Sequence, residues 1–262
     1  MNVFQREIKS AGKAFATWTA AIAAMIAVVM LMFPEMTGDM SAINESFANM
    51  GSFTSAFGLD VLQMSSAMGF YGIESGNIVG LGTAMFAALI GISALAKEEG
   101  NHSAEFLLSH PIKRRRVVTE KLLAVCFQII LMNLIITAVA ALSFVMIKEE
   151  LELDKFLKLH LSITFMNLQL ACTTFMISAF LKGGGAGIGL GLALLMYTLA
   201  IIANITESAR NLKYVTPFKY SEAAQIFQDN ALQWELIALG MGFSLVCVLI
   251  AYVKYTKKDI QI

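Results

Sequence analysis

Long uncharged runs of apolar residues, separated by short polar segments, make up most of the chain. A helix of about 20 apolar residues crosses the roughly 30 Å hydrocarbon core of a bilayer, and six runs have about this length. We therefore predict an all-α membrane protein in which a single transmembrane domain, residues 1–262, contains six transmembrane helices. The predicted spans are residues 14–33, 75–96, 122–147, 161–181, 183–206 and 236–253.

The composition agrees with this segmentation. Hydrophobic residues make up 57% of the sequence and charged residues 15%, a balance outside that of ordinary soluble domains. The three prolines, Pro34, Pro111 and Pro217, lie outside the runs, as expected because proline disrupts a helix interior. The first run is too long, and too far from a small-residue cleavage site, for a signal peptide. We interpret it as a retained span.

Basic residues are concentrated on one side of this six-span arrangement. The segments before the first run, between the second and third, after the fourth and after the sixth hold most of the 19 lysines and arginines. Because positively charged loops stay in the cytoplasm, we predict cytoplasmic termini. The basic residues lie where membrane topology alone places them, so no nucleic-acid partner is indicated. The three cysteines fall inside predicted spans, and no metal site is expected.

The most polar stretch, "KEEGNHSAEFLLSHPIKRRRVVTEKLL", occupies residues 97–123 between the second and third runs. A capping residue, Asn101 or Ser103, starts a helix of about two turns that must end near His110, because a residue before proline avoids the helical region. This helix exposes Phe106, Leu107 and Leu108 in the cytoplasm. Surrounded by Glu98, Glu99 and Glu105, the apolar side chains suit a groove on a partner protein. The alternative is a loop that lies on the membrane surface without a partner.

The basic run of residues 113–116 permits three interpretations: binding of phosphate head groups, contact with a partner, or a solvated flank that sets topology. A second motif, the glycine series of residues 183–191, superficially resembles a phosphate-binding loop. No strand precedes it and no Lys-Ser or Lys-Thr pair follows it. We interpret the series as a turn followed by a helix face that packs closely against its neighbour.

Two predicted external segments are amphipathic. Residues 34–74 favour one or two interfacial helices, with aromatic side chains that face lipid or a partner. These are Phe47, Phe53, Phe57 and Phe70. Residues 148–160, "KEELELDKFLKLH", predict a surface helix that continues from the third span.

Several functions are disfavoured by what the predicted spans lack. They contain no Asp, Glu, Lys or Arg, whereas proton or sodium coupling normally uses a buried ionisable group. There is no "HExxH" or "GxSxG" sequence, so an intramembrane enzyme is also disfavoured. Energy for any transport would have to come from another subunit, and the substrate would be hydrophobic or amphipathic, such as a peptide or a lipid-like molecule.

In its six spans and in the segment between the second and third, the chain resembles the permease subunits of ABC-2 type exporters. Those permeases carry acidic residues, glycine, glutamate, a Leu-Leu-Ser run, proline and basic residues in this segment. The corresponding residues here are Glu98, Glu99, Gly100, Glu105, Leu107, Leu108, Ser109, Pro111, Ile112, Arg114 and Lys121. The family often has threonine soon after the glycine, whereas this chain has Asn101, His102 and Ser103, which leaves the start of the helix open.

The resemblance implies a coupling helix at residues 103–109 that docks on a separate ABC ATPase subunit. The implied coupling residues are Glu98, Glu99, Gly100, Ser103, Glu105, Phe106, Leu107, Leu108, Ser109, Pro111 and Arg114. The resemblance further implies a second permease copy or homologue, ATP and magnesium bound by the ATPase, short helices near "TPFKY", and a bacterial or archaeal cell membrane whose lipid surrounds the spans. The alternative function is a membrane anchor or sensor that recruits a cytoplasmic partner without transport.

Overall fold

The computed structural model describes residues 3–36, 54, 62, 64–97 and 113–258. Within these residues the chain forms helices and no strands, which confirms the all-α prediction. Six of the described helices are long and apolar enough to cross a membrane, as predicted. They are α1 (Val3–Met36), α2 (Ala67–Ser93), α3 (Arg114–Ile147), α4 (Leu153–Ser178), α5 (Ala186–Ile205) and α6 (Trp234–Lys257).

The third helix illustrates how local sequence sets the helix ends. α3 runs for 34 residues and contains neither glycine nor proline, the residues that most weaken a helix interior, whereas α1 has the same length and includes Gly12 and, in its last turn, Pro34. It ends where Lys148 adopts a left-handed conformation with φ of 59°. The prediction that residues 148–160 continue the third span was therefore wrong. From Leu153 onward they form the first turns of α4, in which Phe156 and Leu159 are buried.

The core lies around α4, which packs against α2 and α6, while α1 packs chiefly on α3 and α5 on α2. Of the six helices, α2 and α4 are the most buried and α5 the least. The outer face of α3 exposes an apolar stripe at helical spacing: Leu123, Phe127, Ile130 and Leu134. A continuous apolar stripe of this kind suits contact with lipid rather than water.

Glycines allow the reversal between α4 and α5 and the close approach of α5 to α2. Residues 183–185 all have positive φ, a conformation that glycine adopts without steric cost. A Cβ added at Gly189 would lie 3.0 Å from the carbonyl oxygen of Ala88, so the predicted packing role is confirmed at this position. At Gly187 and Gly191 an added Cβ meets open space, and the packing interpretation does not extend to them.

Phe70 is buried, contrary to the prediction from the sequence. It lies in the first turn of α2, is 2% exposed, and its ring centroid is 5.3 Å from that of Phe33. The prediction that it faces lipid or a partner was wrong because α2 begins at Ala67, before the predicted span, and carries Phe70 into the core. The other three aromatic residues of that prediction, Phe47, Phe53 and Phe57, lie outside the described residues.

Three short helical segments connect α5 to α6, at Glu207–Tyr214, Lys219–Ser221 and Ala223–Asp229. Short helices near "TPFKY" were expected, and the structure confirms them. This connection is tied to α4, because the Tyr220 hydroxyl donates a hydrogen bond to Oε1 of Gln169 at 2.8 Å.

A buried aromatic cluster lies at the end of the bundle where α2 and α4 begin. It consists of Tyr71, Phe144, Phe156 and His160, whose rings contact one another. The Tyr71 hydroxyl and Nε2 of His160 form a hydrogen bond of 2.6 Å. Nδ1 of His160 is buried without a hydrogen-bond partner among the described residues.

Candidate coupling end of the helix bundle

The predicted coupling residues mostly fall between the described parts of the chain. Residues 98–112 are outside them, so the predicted roles of ten residues stay predictions. These are Glu98, Glu99, Gly100, Ser103, Glu105, Phe106, Leu107, Leu108, Ser109 and Pro111. The structure does describe both flanks of the segment, Lys97 after α2 and Arg114 at the start of α3.

Both flanks meet at what we name the basic end of the bundle, where α1, α3 and α5 begin and α2, α4 and α6 end. Three residues from three parts of the chain form what we name the anchor triad, in which Glu7 contacts both Lys97 and Lys121. Nζ of Lys97 donates to Oε2 of Glu7 at 2.5 Å, and Nζ of Lys121 donates to Oε1 of the same carboxylate at 3.0 Å. One carboxylate therefore links α1 to both sides of the predicted coupling segment.

The members of the anchor triad differ in exposure. The side chain of Lys121 is 0% exposed, that of Glu7 9% and that of Lys97 26%. Lys121 also donates to the carbonyl oxygen of Ala94 at 2.6 Å, in the turn that follows α2. A buried ammonium group is tolerated when it is both paired and hydrogen-bonded. Lys121 meets both conditions, which fixes the start of α3 against the end of α2.

A second contact joins α1 to α3 beside the triad. The backbone N–H of Phe4 donates to Oε2 of Glu120 at 3.1 Å, and Arg116 donates to Oε1 of that carboxylate at 2.6 Å. A free N–H in the first turn of a helix needs an acceptor, and a carboxylate there also complements the helix dipole. The start of α1 is thus held to α3 independently of Glu7.

Arg114, the predicted coupling residue within the described chain, is half-buried. Its Nη1 donates to the carbonyl oxygen of Lys258 at 2.6 Å, while Nζ of Lys258 donates to the carbonyl oxygen of Leu181 at 2.6 Å. These bonds connect the start of α3, the end of α6 and the turn between α4 and α5. Arg114 thus contacts its own chain, whereas Arg115 and Arg116 next to it are exposed.

This arrangement has a mechanical consequence. Lys97 and Lys121, which lie on either side of residues 98–112 in sequence, are both fixed to α1 through charge-assisted hydrogen bonds, the stronger kind of hydrogen bond in proteins. A displacement of the segment would therefore move α1, α2 and α3 together rather than α2 and α3 separately. Packed elements that shift as rigid bodies are the usual route by which a local push becomes a change in access.

Two of the anchoring carboxylates, Glu7 and Glu120, were not among the residues predicted from the sequence. Glu7 had one available signal: it is the single acidic residue among the cations Arg6, Lys9 and Lys13 of the N-terminal flank. A lone carboxylate in a basic flank neither sets topology nor adds solubility, so a specific partner is its simplest explanation. Its partner on α3 is 114 residues away in sequence, and no local pattern identifies it.

Comparison with known families covers almost the entire chain. A family model described as "ABC-2 family transporter protein" matches residues 1–260, which include all six long helices. No curated protein matches the chain. Permeases of this family are the membrane component of a transporter and work with an ABC ATPase subunit. The chain is thus a multi-pass membrane protein that belongs to the ABC-2 transporter family.

Proposed function

We propose that this chain is the permease subunit of an ATP-driven exporter that moves a hydrophobic or amphipathic substrate by alternating access. In this proposal two permease subunits assemble with two ATPase subunits, which bind the ATP and magnesium. Closure of the ATPase dimer pushes on the segment of residues 98–112, and the bundle switches between inward and outward access. Both termini lie in the cytoplasm.

The observation that carries the proposal is the joint anchoring of both flanks of that segment to α1 through Glu7. A loop that only joined two spans would not need a buried carboxylate shared by its two flanks. A loop that receives force does, because without the anchor the push would deform the flanks instead of moving the helices. The apolar residues Phe106, Leu107 and Leu108 are the proposed contact with the ATPase, and Glu105 the proposed orienting charge.

Docking is tested by affinity purification of the tagged chain from its native membrane in mild detergent, with mass spectrometry of the co-purified proteins. We expect a P-loop ATPase to co-purify with the unchanged chain and to be lost with Phe106→Asp and with Glu105→Lys. The matched control is Lys257→Glu, a charge reversal at an exposed position of the same end, which should retain the ATPase. Retention of the ATPase by both segment variants would contradict the proposed docking site.

Transport is distinguished from mere anchoring by a second measurement on the purified complex. A transporter hydrolyses ATP faster when its substrate is present, whereas a membrane anchor or sensor that only recruits the ATPase shows no such dependence. The complex should therefore be assayed in liposomes against a panel of apolar peptides and lipids. A rate that is the same for every member of the panel, with the ATPase bound, would support the anchor and count against the exporter.

A further inference from the structure

A cavity of about 230 Å³ lies beside the anchor triad, between α1, α2 and α3. Its wall contains Glu7 and Lys97 at one end, and Trp18 and Phe86 contribute aromatic surface. For comparison, an engineered apolar cavity of about 150 Å³ is large enough to bind benzene. The cavity is therefore large enough for part of an organic ligand, and it is bounded by both charged and apolar groups.

The charged end of the cavity favours an anion. Glu7 and Lys97 lie in the cavity wall and Lys121 is buried against Glu7, so the triad as a whole, described on all three members, carries a net positive charge beside the cavity. An ammonium group has three N–H donors. Among the described residues, the N–H donors of Lys97 bind Oε2 of Glu7 and, at 3.5 Å, Oγ of Ser10, and two acceptors leave one of the three donors for a ligand. The Lys97 side chain is also the most exposed of the three.

The remainder of the cavity favours an apolar body. Its lining on α1 extends from Glu7 to Trp18, which at a helical rise of 1.5 Å per residue is about 16 Å. Phe86, Leu89 and Ile90 of α2 form part of the wall. A ligand that fits has an acidic group near Lys97 and apolar groups near the aromatic residues.

One buried polar atom adds a requirement for a hydrogen-bond donor. Gln128 lines the cavity and is 5% exposed. Its Nε2 donates to the carbonyl oxygen of Ala124, while its Oε1 is buried without a partner among the described residues. A buried acceptor without a donor is unfavourable. Gln128 lies seven residues after Lys121 on α3, so the acceptor is about 10 Å from the level of the triad.

We propose that this cavity binds an amphipathic carboxylate with an N–H or O–H donor about 10 Å from its acidic group, and that the carboxyl-terminal end of an apolar peptide is such a ligand. About three extended residues span 10 Å. The terminal carboxylate would accept from Lys97, a backbone N–H would donate to Oε1 of Gln128, and apolar side chains would pack on Trp18 and Phe86. That such a peptide is transported rests on the proposed function, whereas its binding to the cavity does not.

The fluorescence of Trp18 can report ligand binding to the cavity, because the sequence has only two tryptophans and the other, Trp234, lies at the opposite end of the bundle. Trp234→Phe leaves Trp18 as the single tryptophan. We would place this variant, without any ATPase, in nanodiscs of neutral lipid and titrate it with an N-acetylated tripeptide of leucine and phenylalanine. The expected result is a saturable change in Trp18 fluorescence, with affinity about tenfold lower when the terminal carboxylate is replaced by an amide.

Two variants in the same background test the two polar contacts. Lys97→Gln should lower the affinity for the acid peptide about tenfold and leave the affinity for the amide peptide unchanged. This difference isolates the contact between the two charges. Gln128→Leu should weaken the binding of both peptides. It should not weaken the binding of a medium-chain fatty acid, which has the carboxylate and lacks the N–H donor. Lys158→Gln, a lysine change at the opposite end of the bundle, is the matched control and should change neither titration. Ala14→Phe, which adds volume to the cavity wall, should abolish saturable binding.

Equal affinity of the acid peptide and the amide peptide for the Trp234→Phe protein, whose cavity wall is unchanged, would overturn the proposal, and this result does not depend on the folding of any cavity variant. Saturable binding that survives Ala14→Phe would also overturn it. If Gln128→Leu lowers the affinity for the fatty acid as much as the affinity for the peptide, the proposed contact between a peptide N–H and Oε1 of Gln128 is wrong. Since no ATPase is present, these outcomes are independent of the co-purification test, so the cavity proposal and the exporter proposal can fail separately.

Discussion

The two ends of the bundle bury polar groups in different chemical forms. At the basic end the anchor triad is ionic: the buried carboxylate of Glu7 pairs with the buried ammonium group of Lys121 and the partly exposed one of Lys97. At the opposite end the aromatic cluster buries a neutral pair, the Tyr71 hydroxyl on Nε2 of His160, surrounded by rings. Both arrangements join helices that are far apart in sequence, yet their energetics differ.

The two ends differ in the cost of removing one partner of a buried polar contact. A buried ion pair has a large desolvation cost and little net stabilisation, but removal of one partner is strongly unfavourable. A buried neutral hydrogen bond contributes modestly and costs less when it is broken, while the surrounding aromatic packing persists. The basic end therefore depends on particular charged partners, whereas the opposite end is stabilised mainly by the packing of its aromatic rings.

The largest expected effect is that of Glu7→Gln. This change leaves Lys121, whose side chain is 0% exposed, without its carboxylate, at a cost of about 3–5 kcal/mol. We expect a large loss of thermal stability in detergent, measured by size-exclusion chromatography after heating. Arg116→Gln at the same end is the control, because the Arg116 side chain is 67% exposed, and loss of its helical pair with the less exposed Glu120 should cost about 1 kcal/mol or less.

A double change sharpens this test. Adding Lys121→Met to Glu7→Gln removes the uncompensated charge, and apolar replacement of a buried ion pair is often neutral. Recovery of most of the lost stability would identify the buried charge as the cause. If Glu7→Gln alone unfolds at the same temperature as the unchanged chain, the basic end does not depend on the triad.

An intermediate effect is expected from Tyr71→Phe. It removes the hydroxyl that contacts His160 and leaves a buried imidazole without that partner, at about 1–3 kcal/mol, while the aromatic packing is retained. The loss of thermal stability should therefore be smaller than for Glu7→Gln. Tyr214→Phe is the matched control, because that residue is 55% exposed and should show no change. A larger loss for Tyr71→Phe than for Glu7→Gln would reverse the comparison between the two ends.

The sequence predicts some parts of this structure well, and the reason is physical. Charge-free runs of spanning length are a local property, because a bilayer requires each helix to satisfy its own backbone hydrogen bonds. The six helices follow from that requirement alone. Helix ends are less predictable: the left-handed Lys148 places residues 153–160 in α4 rather than in a continuation of α3. No glycine or proline marks that break.

The candidate site is harder to predict because its partners are distant in sequence. Glu7 meets Lys97 and Lys121 only when α1 packs against α2 and α3, and the ring of Phe70 packs on Phe33 of α1. Periodicity shows that a helix has an apolar face, but not which helix covers it. The motif of residues 97–121 was recognisable because it is contiguous, whereas the anchors that hold it are spread over three helices.

The smallest effect on stability, and the most informative about function, is expected from Lys97→Gln. Its side chain is the most exposed of the triad, and Glu7 keeps its buried pair with Lys121, so the change leaves no unpaired buried charge and the loss should be the smallest of the three. The flank of the proposed coupling segment would nevertheless lose its direct bond to α1. We therefore expect substrate-stimulated ATP hydrolysis of the assembled complex, measured at saturating substrate so that a change in affinity has no effect, to fall while the ATPase still co-purifies. Tyr71→Phe, which costs more stability, should leave this stimulation intact. Equal loss of stimulation in the two variants would show that transport follows general stability and not the anchoring of the segment at the basic end.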